Sequence, residues 1–502
     1  MAQLLSSLLQ GLSPLSAQDD VMVQGVSADS RRITAGDVFV ARRGVHVDGL
    51  SLAPDAIARG AVAVLAEHGD ANALQAALGV PVLVLPNFAA ALGVLADRFY
   101  GEPSKALRVI GVTGTNGKTS ISHFIAQALS FAGKPAGLIG TLGMGMWGDL
   151  QFASHTTPDV LAVHAELARQ RDLGAQYVVM EVSSHALDQG RVAGVRFRAA
   201  VLSNLSQDHL DYHVDMQSYA KAKRRLFVDL QPQASIINMD DGFGRELLEA
   251  LQHRGALWAY GLGEIPWAAQ EAAVLSVRKL RLDAHGCKLT LNTPQGAARL
   301  HSPLLGQFNV SNLLAALATL LELGMPLADA LVALEQVRPP AGRMERFCAP
   351  NKPMCVVDYA HTPDALAQAL TTLRGHIKPK SNARLWVVFG CGGNRDVGKR
   401  PRMGQVAAEL ADWVIVTDDN PRDEDADAIV QDILAGMAQR EHIVVERDRR
   451  RAIAHALAEA TPEDIILIAG KGHEDYQEIG SVRYPYSDRD TVRELLGEAC
   501  AC

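Results

Sequence analysis

Residues Thr113 to Ser120 read T-G-T-N-G-K-T-S, between the apolar run R-V-I-G-V and the helical pattern I-S-H-F-I-A-Q-A-L. A glycine-rich turn from strand to helix aims free backbone N–H groups and a helix N-terminus at one point, which suits a phosphate chain. Lys118 is placed to neutralise the outer phosphates and the Thr119 hydroxyl to ligate Mg²⁺. The strict phosphate-loop pattern has glycine five residues before Gly117; this chain has Val112 there, so the loop is a variant. Two later strand-like runs also end in reactive groups. One carries Glu181, Ser183, Ser184 and His185, the other Asn204, Asp208, His209 and His213. Carboxylate and imidazole at neighbouring strand tips are candidate metal ligands, with oxygen the better match to Mg²⁺. The stretch S-Y-A-K-A-K-R-R-L-F, with Lys221 and Lys223, reads by itself as a solvated basic helix face. Near the C-terminus, T-D-D-N-P-R-D-E-D sets Arg422 among carboxylates just after the apolar Trp413–Val416. Acid beside base at a strand end, on a turn fixed by Pro421, favours a pocket for a zwitterion over surface decoration.

The elements that must position these groups are legible as well. Short Val/Ile/Leu runs, each followed by a Gly- or Asp-bearing turn and a helix, recur along the chain, as in AVAVLAE, YVVMEVS, AAVLSNL, LWVVFG and DIILIAG. That is the signature of parallel sheets covered on both faces, with ligands bound beyond the carboxyl ends of the strands. The stretch from about 264 to 300 departs from this and reads as an antiparallel hairpin insertion. Joints at Gly101–Ser104 and Val337–Gly342 give three α/β domains, 1–103, 104–338 and 339–502, in a chain of 502 residues. With 48 Lys plus Arg against 56 Asp plus Glu, the chain lacks the basic excess of a nucleic-acid-coating protein. No stretch approaches the ~20 apolar residues of a membrane span. The leucine-rich N-terminus has no basic leader region and reads as a short amphipathic helix. The six cysteines, including the Cys500-Ala-Cys502 tail, form no CxxC pair; reduced thiols and a cytoplasmic location are expected.

G-T-N-G-K-T-S resembles the ATP loop of the Mur ligase family, which also includes folylpolyglutamate synthases. The family uses ATP to convert a carboxylate to an acyl phosphate and then joins it to an amine. The resemblance implies a central phosphate-loop-type parallel sheet with helices on both faces, a C-terminal Rossmann-like α/β domain and a smaller N-terminal α/β domain. It implies ATP contacts from Gly114, Thr115, Asn116, Gly117, Lys118, Thr119 and Ser120. The segments G-Q-F-N, G-R-M-E and D-Y-A-H add Asn309, Arg343, Asp358 and His361 to the nucleotide. It implies Mg²⁺ held by Thr119, Glu181, His209 and Lys223, the lysine as a CO₂-derived carbamate. That last step needs a neutral amine, so desolvation or a neighbouring cation must lower its pKa. Lys118, Glu181, His209 and Lys223 form the implied catalytic set.

D-S-R, G-D-V-F-V-A and G-V-H-V-D-G are similar to the uridine-diphosphate pocket of family members acting at the third amino-acid addition. That pocket involves Ala28, Ser30, Val45, His46 and Val47. His155, Thr156, Thr157, Ser183, Gln189 and Arg191 correspond to the muramoyl-peptide contacts, His155 standing where the family usually has Asn. D-N-P-R resembles the motif of members that add meso-diaminopimelate, implying contacts from Arg395, Asp419, Asn420, Pro421, Arg422, Gly470 and Glu474. A planar guanidinium suits the extra carboxylate that distinguishes this amino acid from lysine, with Glu474 and Asp419 for the ammonium. The implied substrates are ATP, UDP-MurNAc-L-Ala-D-Glu and meso-diaminopimelate, with no nucleic acid, no membrane span and a monomeric enzyme of peptidoglycan synthesis. The rivals are a folylpolyglutamate synthase, not expected to carry D-N-P-R, and a nucleotide-gated binding protein, which needs no metal cluster.

Overall fold

The computed structural model describes residues 2–44, 47–153, 155–265, 271–283, 285–378, 381–438 and 441–497. The chain forms two compact units. The first holds Met1–Tyr260, Ile265–Val274 and Ala318–Met325; the second holds Gly261–Glu264, Leu275–Leu317 and Pro326–Cys502.

Unit 1 begins with the predicted short helix, Leu5–Leu9, which buries Leu5, Leu8 and Leu9. They join the core of a four-stranded parallel sheet, Gly25–Ser27, Asp37–Ala41, Ala63–Ala66 and Val82–Val84. A larger sheet follows. Across it lie Ala136–Gly140, Tyr177–Glu181, Arg108–Thr113, Phe197–Leu202, Ala234–Asn238 and Ala256–Gly261, all parallel. Arg108–Thr113 sits in the middle, with later strands on both sides. Connections therefore leave it in opposite directions, and the loops after Thr113, Glu181 and Leu202 flank a topological switch point, where open α/β sheets bind ligands. The strands are buried along nearly their whole length, as uninterrupted apolar runs require when helices cover both faces.

In unit 2 the expected hairpin is an antiparallel meander of Ala273–Asp283, Gly286–Thr293 and Gly296–Ser302. The main sheet runs Glu345–Phe347, Met354–Asp358, Ile465–Ala469, Leu385–Phe389, Trp413–Val416, Ile443–Val445, parallel except for its first edge strand. Alternation at period two fills two separate cores: Val356, Val387 and Leu467 face one, Val357, Val388 and Ile468 the other. D-Y-A-H, G-C-G-G-N-R, T-D-D-N-P-R and G-K-G-H-E are thereby the loops leaving four strands of one sheet at the same end. Cys287, Cys355 and Cys391 are free thiols. Cys348 is disulfide-bonded, which corrects the expectation of six reduced cysteines; Cys500 and Cys502 lie outside the described residues. No CxxC spacing announced that bond, because folding rather than sequence proximity brings such a pair together.

Candidate active site

The phosphate loop turns on two glycines at positive φ, Gly114 at 145° and Gly117 at 87°, and opens the helix Lys118–Phe131. The segment after Leu202 braces it. Asn204 accepts from the Asn116 N–H at 3.0 Å, its backbone carbonyl takes the Thr115 N–H at 2.8 Å, and Ser203 Oγ donates to the Asn116 carbonyl at 2.5 Å. Thr115 Oγ1 also lies 3.1 Å from the Tyr219 hydroxyl. Lys118 folds back over the loop, donating to the carbonyls of Gly114 at 2.9 Å and Thr115 at 2.8 Å. Ser120 sits half-buried in the first helical turn, and Asn116 is exposed at the rim.

Glu181 is fully buried. It accepts from the Thr119 hydroxyl at 2.9 Å and the Thr141 N–H at 2.8 Å. Burial pushes its pKa up, opposed by the Thr141 N–H and the Lys118 charge. A buried carboxylate touching a hydroxyl gains most from a hard cation, which would favour its charged form. The described residues hold no group of three or more His, Cys, Asp or Glu arranged for a metal. Mg²⁺ needs few such ligands, because it keeps waters and substrate phosphates. Thr119 and Glu181 fit that pattern.

Lys223 is buried, whereas Lys221 on the same helix is exposed. The helix turns Tyr219, Ala222, Lys223, Leu226 and Phe227 inward. The Lys223 ammonium donates to the Gly114 carbonyl at 2.8 Å, the same oxygen that Lys118 uses, and lies 4.4 Å from the Tyr219 ring centre. Burial first, and then the Lys118 charge, hold its pKa well below the usual lysine value. These are the two causes the carbamate chemistry demands. His209 approaches Tyr219 from elsewhere, ring centres 6.1 Å apart, and pairs with Asp208 at 3.5 Å. His213 is buried against the Ser184 hydroxyl at 2.9 Å, in keeping with a packing role.

Four of the peptide-side residues form one network. Arg191 donates to Gln189 Oε1 at 3.0 and 2.8 Å and to the Thr157 carbonyl at 2.9 Å; Thr157 Oγ1 takes the Ser183 N–H at 3.1 Å. Thr156 joins Thr141 through their hydroxyls at 3.0 Å, and His155 is exposed. Burial and the nearby Arg42 depress the Arg191 pKa. Arg42 was not singled out in the sequence; its position directly after G-D-V-F-V-A is the signal that would have found it. Ala28 lines a cavity of about 1190 Å³, Ser30 is buried, and Val47 is exposed; Val45 and His46 lie outside the described residues.

In unit 2, Arg343 lies 4.8 Å from the Tyr359 ring centre, and its buried Nε has no hydrogen-bond partner. His361 packs against the same ring at 4.5 Å, and Asp358 takes the Met344 N–H at 2.8 Å. Asn309 is buried; its amide donates to the Leu305 carbonyl at 2.9 Å and accepts from Asn312 at 3.1 Å. The D-N-P-R turn is mostly buried rather than solvated: Asp419, Asn420 and Pro421 are all buried. Asn420 is buried and donates to Glu474 at 3.0 Å. Gly470, at φ 118°, lets Asp419 approach, since a Cβ there would stand 3.1 Å from Asp419 Oδ2. Pro421 is buried with its carbonyl against Gly393, where any side chain would stand 1.8 Å from that oxygen. Arg422, at φ 51°, donates to Glu478 at 3.2 Å and to the Gly393 carbonyl at 2.8 Å; Arg395 is exposed. Burial and Asp419 raise the Glu474 pKa, opposed by the Asn420 amide and the Lys471 charge.

Three family models match the chain: Mur ligase family, catalytic domain, over residues 22–100; Mur ligase middle domain over 112–320; and Mur ligase, glutamate ligase domain, over 342–472. A relative from Pseudomonas aeruginosa, named UDP-N-acetylmuramoyl-L-alanyl-D-glutamate–2,6-diaminopimelate ligase, is 48% identical over 480 residues, 96% of each chain. The protein belongs to the Mur ligase family. A ligase of the same name from Xanthomonas campestris pv. campestris is 50% identical to this Mur ligase over 493 residues, 98% of this chain and 97% of the relative. A solved structure of a ligase of that name superimposes with a TM-score of 0.77 at 36% identity, covering 99% of both chains. A Mycobacterium tuberculosis folylpolyglutamate synthase complexed with ADP and AMPPCP shares the fold, with a TM-score of 0.58 at 19% identity over 80% of this Mur ligase and 94% of that chain.

Proposed function

We propose that this Mur ligase joins meso-2,6-diaminopimelate to the D-glutamate of UDP-N-acetylmuramoyl-L-alanyl-D-glutamate at the expense of ATP, a step of peptidoglycan synthesis. The observation that carries the reading is its 48–50% identity, across nearly the whole of both chains, to ligases bearing that name. The arrangement of the D-N-P-R turn supports it.

The loop N–H groups and Lys118 hold the phosphates of ATP. The D-glutamate γ-carboxylate attacks the γ-phosphorus, the bond to ADP breaks, and an acyl phosphate results. The diaminopimelate amine then attacks the acyl carbon and loses a proton, phosphate departs and an amide remains. Thr119 and Glu181 would hold magnesium, which when bound supplies positive charge beside the phosphates. His209 and Lys223 would complete this group; the neutral Lys223 amine would add to CO₂ with loss of a proton, and its carbamate would supply an anionic oxygen to the metal. Its burial and lowered pKa support that assignment. Thr157, Ser183, Gln189 and Arg191 hold the peptide, and Ala28 and Ser30, with residues 45–47, the uridine diphosphate.

Asp419 and Glu474 take the distal ammonium of diaminopimelate, and Arg422 its neighbouring carboxylate. Glu478 accepts from the Nε of that guanidinium at 3.2 Å. Three domains, 1–103, 104–338 and 339–502, accord with the three matched ranges. No helix among the described residues is long and apolar enough to cross a membrane, and the enzyme acts as a monomer in the cytoplasm, where its nucleotide substrates are made. Phosphate release from ATP with the nucleotide substrate tests the reading. Release that needs diaminopimelate and is not met by L-lysine is expected; silence with every amino acid would refute ligation.

A further inference from the structure

Lys471 is the most enclosed cation beside the D-N-P-R turn, with no exposed surface. Its ammonium donates to Asn420 Oδ1 at 2.8 Å and to the Tyr476 carbonyl at 2.9 Å. The same nitrogen lies 3.3 Å from Asp419 Oδ1 and 3.8 Å from Glu474 Oε2. Asn420 Oδ1 also accepts the Glu478 N–H at 2.9 Å, while Asn420 Nδ2 donates to Glu474 Oε2 at 3.0 Å. Two donors on one side and a carboxylate on the other allow this side chain a single amide orientation. Glu478 in turn accepts from Arg422 Nε at 3.2 Å, and its carbonyl accepts the Arg422 N–H at 3.0 Å.

A chain of hydrogen bonds therefore runs from Glu474 through Asn420 to Glu478 and on to Arg422, with Lys471 anchoring its middle at Asn420 Oδ1 and lying beside Asp419 as an ion pair. We infer that Lys471 is a positioning residue that fixes the separation between the ammonium-binding carboxylates and the carboxylate-binding Arg422, and so sets the preference for diaminopimelate over lysine. The inference rests on the assignment of this turn to diaminopimelate. Charge supports it. Asp419 and Glu474 carry two negative charges and Lys471 one positive, leaving one net negative charge to match one substrate ammonium. Arg449 and Asp488, bonded to one another at 2.7 and 2.8 Å, cancel. Removing the lysine would take away the positive charge near Asp419 and Glu474 and one of the two donors on Asn420 Oδ1, loosening the amide that joins Glu474 to Glu478.

The test is Lys471→Met, of similar length and uncharged, with phosphate release measured as each substrate is varied. KM for diaminopimelate is expected to rise about 10- to 100-fold, with KM for ATP and for the nucleotide substrate within about twofold of wild type. The ratio of kcat/KM for diaminopimelate to that for L-lysine is expected to fall. A folded K471M enzyme that keeps this ratio, or whose three KM values rise together, would overturn the inference. Glu478→Gln, at a partly exposed site, keeps the question answerable if K471M does not fold. It should lower the same ratio through the other end of the chain, and an unchanged ratio would sink the proposal. Wild-type enzyme that releases phosphate equally with diaminopimelate and lysine would instead remove the substrate assignment beneath it.

Discussion

Gly114→Ala should damage nucleotide use far more than a one-carbon change suggests. A Cβ at Gly114 would stand 1.8 Å from Ser203 Oγ and 3.0 Å from the Asn204 backbone N and O. The backbone at φ 145° is one that L-residues rarely adopt. Holding alanine there costs about 1–3 kcal/mol, and expelling the Ser203 hydroxyl from its bond to Asn116 costs about 1 kcal/mol more. The sum of about 2–4 kcal/mol corresponds to about a 30- to 900-fold loss in kcat/KM for ATP. The Gly114 carbonyl also carries both Lys118 and Lys223, so the loop cannot tilt away without disturbing both amines. Ser203→Ala removes the one contact shorter than 3.0 Å and by itself should cost about fivefold. If steric conflict is the cause, the double variant G114A/S203A should be more active than the product of the single losses, with coupling of about 1 kcal/mol or more. The assay is phosphate release under varied ATP. Activity of G114A within about threefold of wild type, or strictly multiplicative losses in the double variant, would refute the reasoning.

Lys223 should give a ¹³C carbamate signal in labelled bicarbonate that strengthens as pH rises through its lowered pKa, because only the neutral amine adds CO₂; Lys223→Gln should show none, and a wild type without the signal would exclude the modification. Asp488→Asn should destabilise unit 2 by about 3–5 kcal/mol, since it strands the buried Arg449 guanidinium; thermal melting that moves by less than about 2 °C would contradict this. Burial pushes the Asp358 carboxyl up to about 6. The folded chain thus holds this proton more tightly than the unfolded one, and the stability it contributes is lost as pH rises through about 6. Asp358→Asn should flatten that part of the pH–stability curve between about pH 4.5 and about pH 7, and parallel curves would count against it.

Much of this protein is written locally. The uninterrupted Val/Ile/Leu strands announce parallel sheets covered on both faces, because only such strands are dry on two sides. T-G-T-N-G-K-T-S announces its turn because positive φ at Gly114 and Gly117 and a helix start at Lys118 are properties of adjacent residues. Other features belong to the tertiary structure alone. K-A-K-R-R looks like a solvated basic face, and Lys223 differs from Lys221 only because folding sets it under the Gly114 carbonyl, 109 residues away, and beside Lys118. Asn309 reads as a helix-opening residue in sequence, and only the packing of its own unit gives its amide the partners Leu305 and Asn312. Arg422 gains a carboxylate partner from a strand 56 residues downstream, where Glu478 accepts from its Nε. Lys471 bonds Asn420 across 51 residues. Residue type and spacing determine which groups are available and which turns present them. Burial, the neighbouring charge and the partner of each group are set by segments far apart in the chain, and those three decide its protonation and its aim.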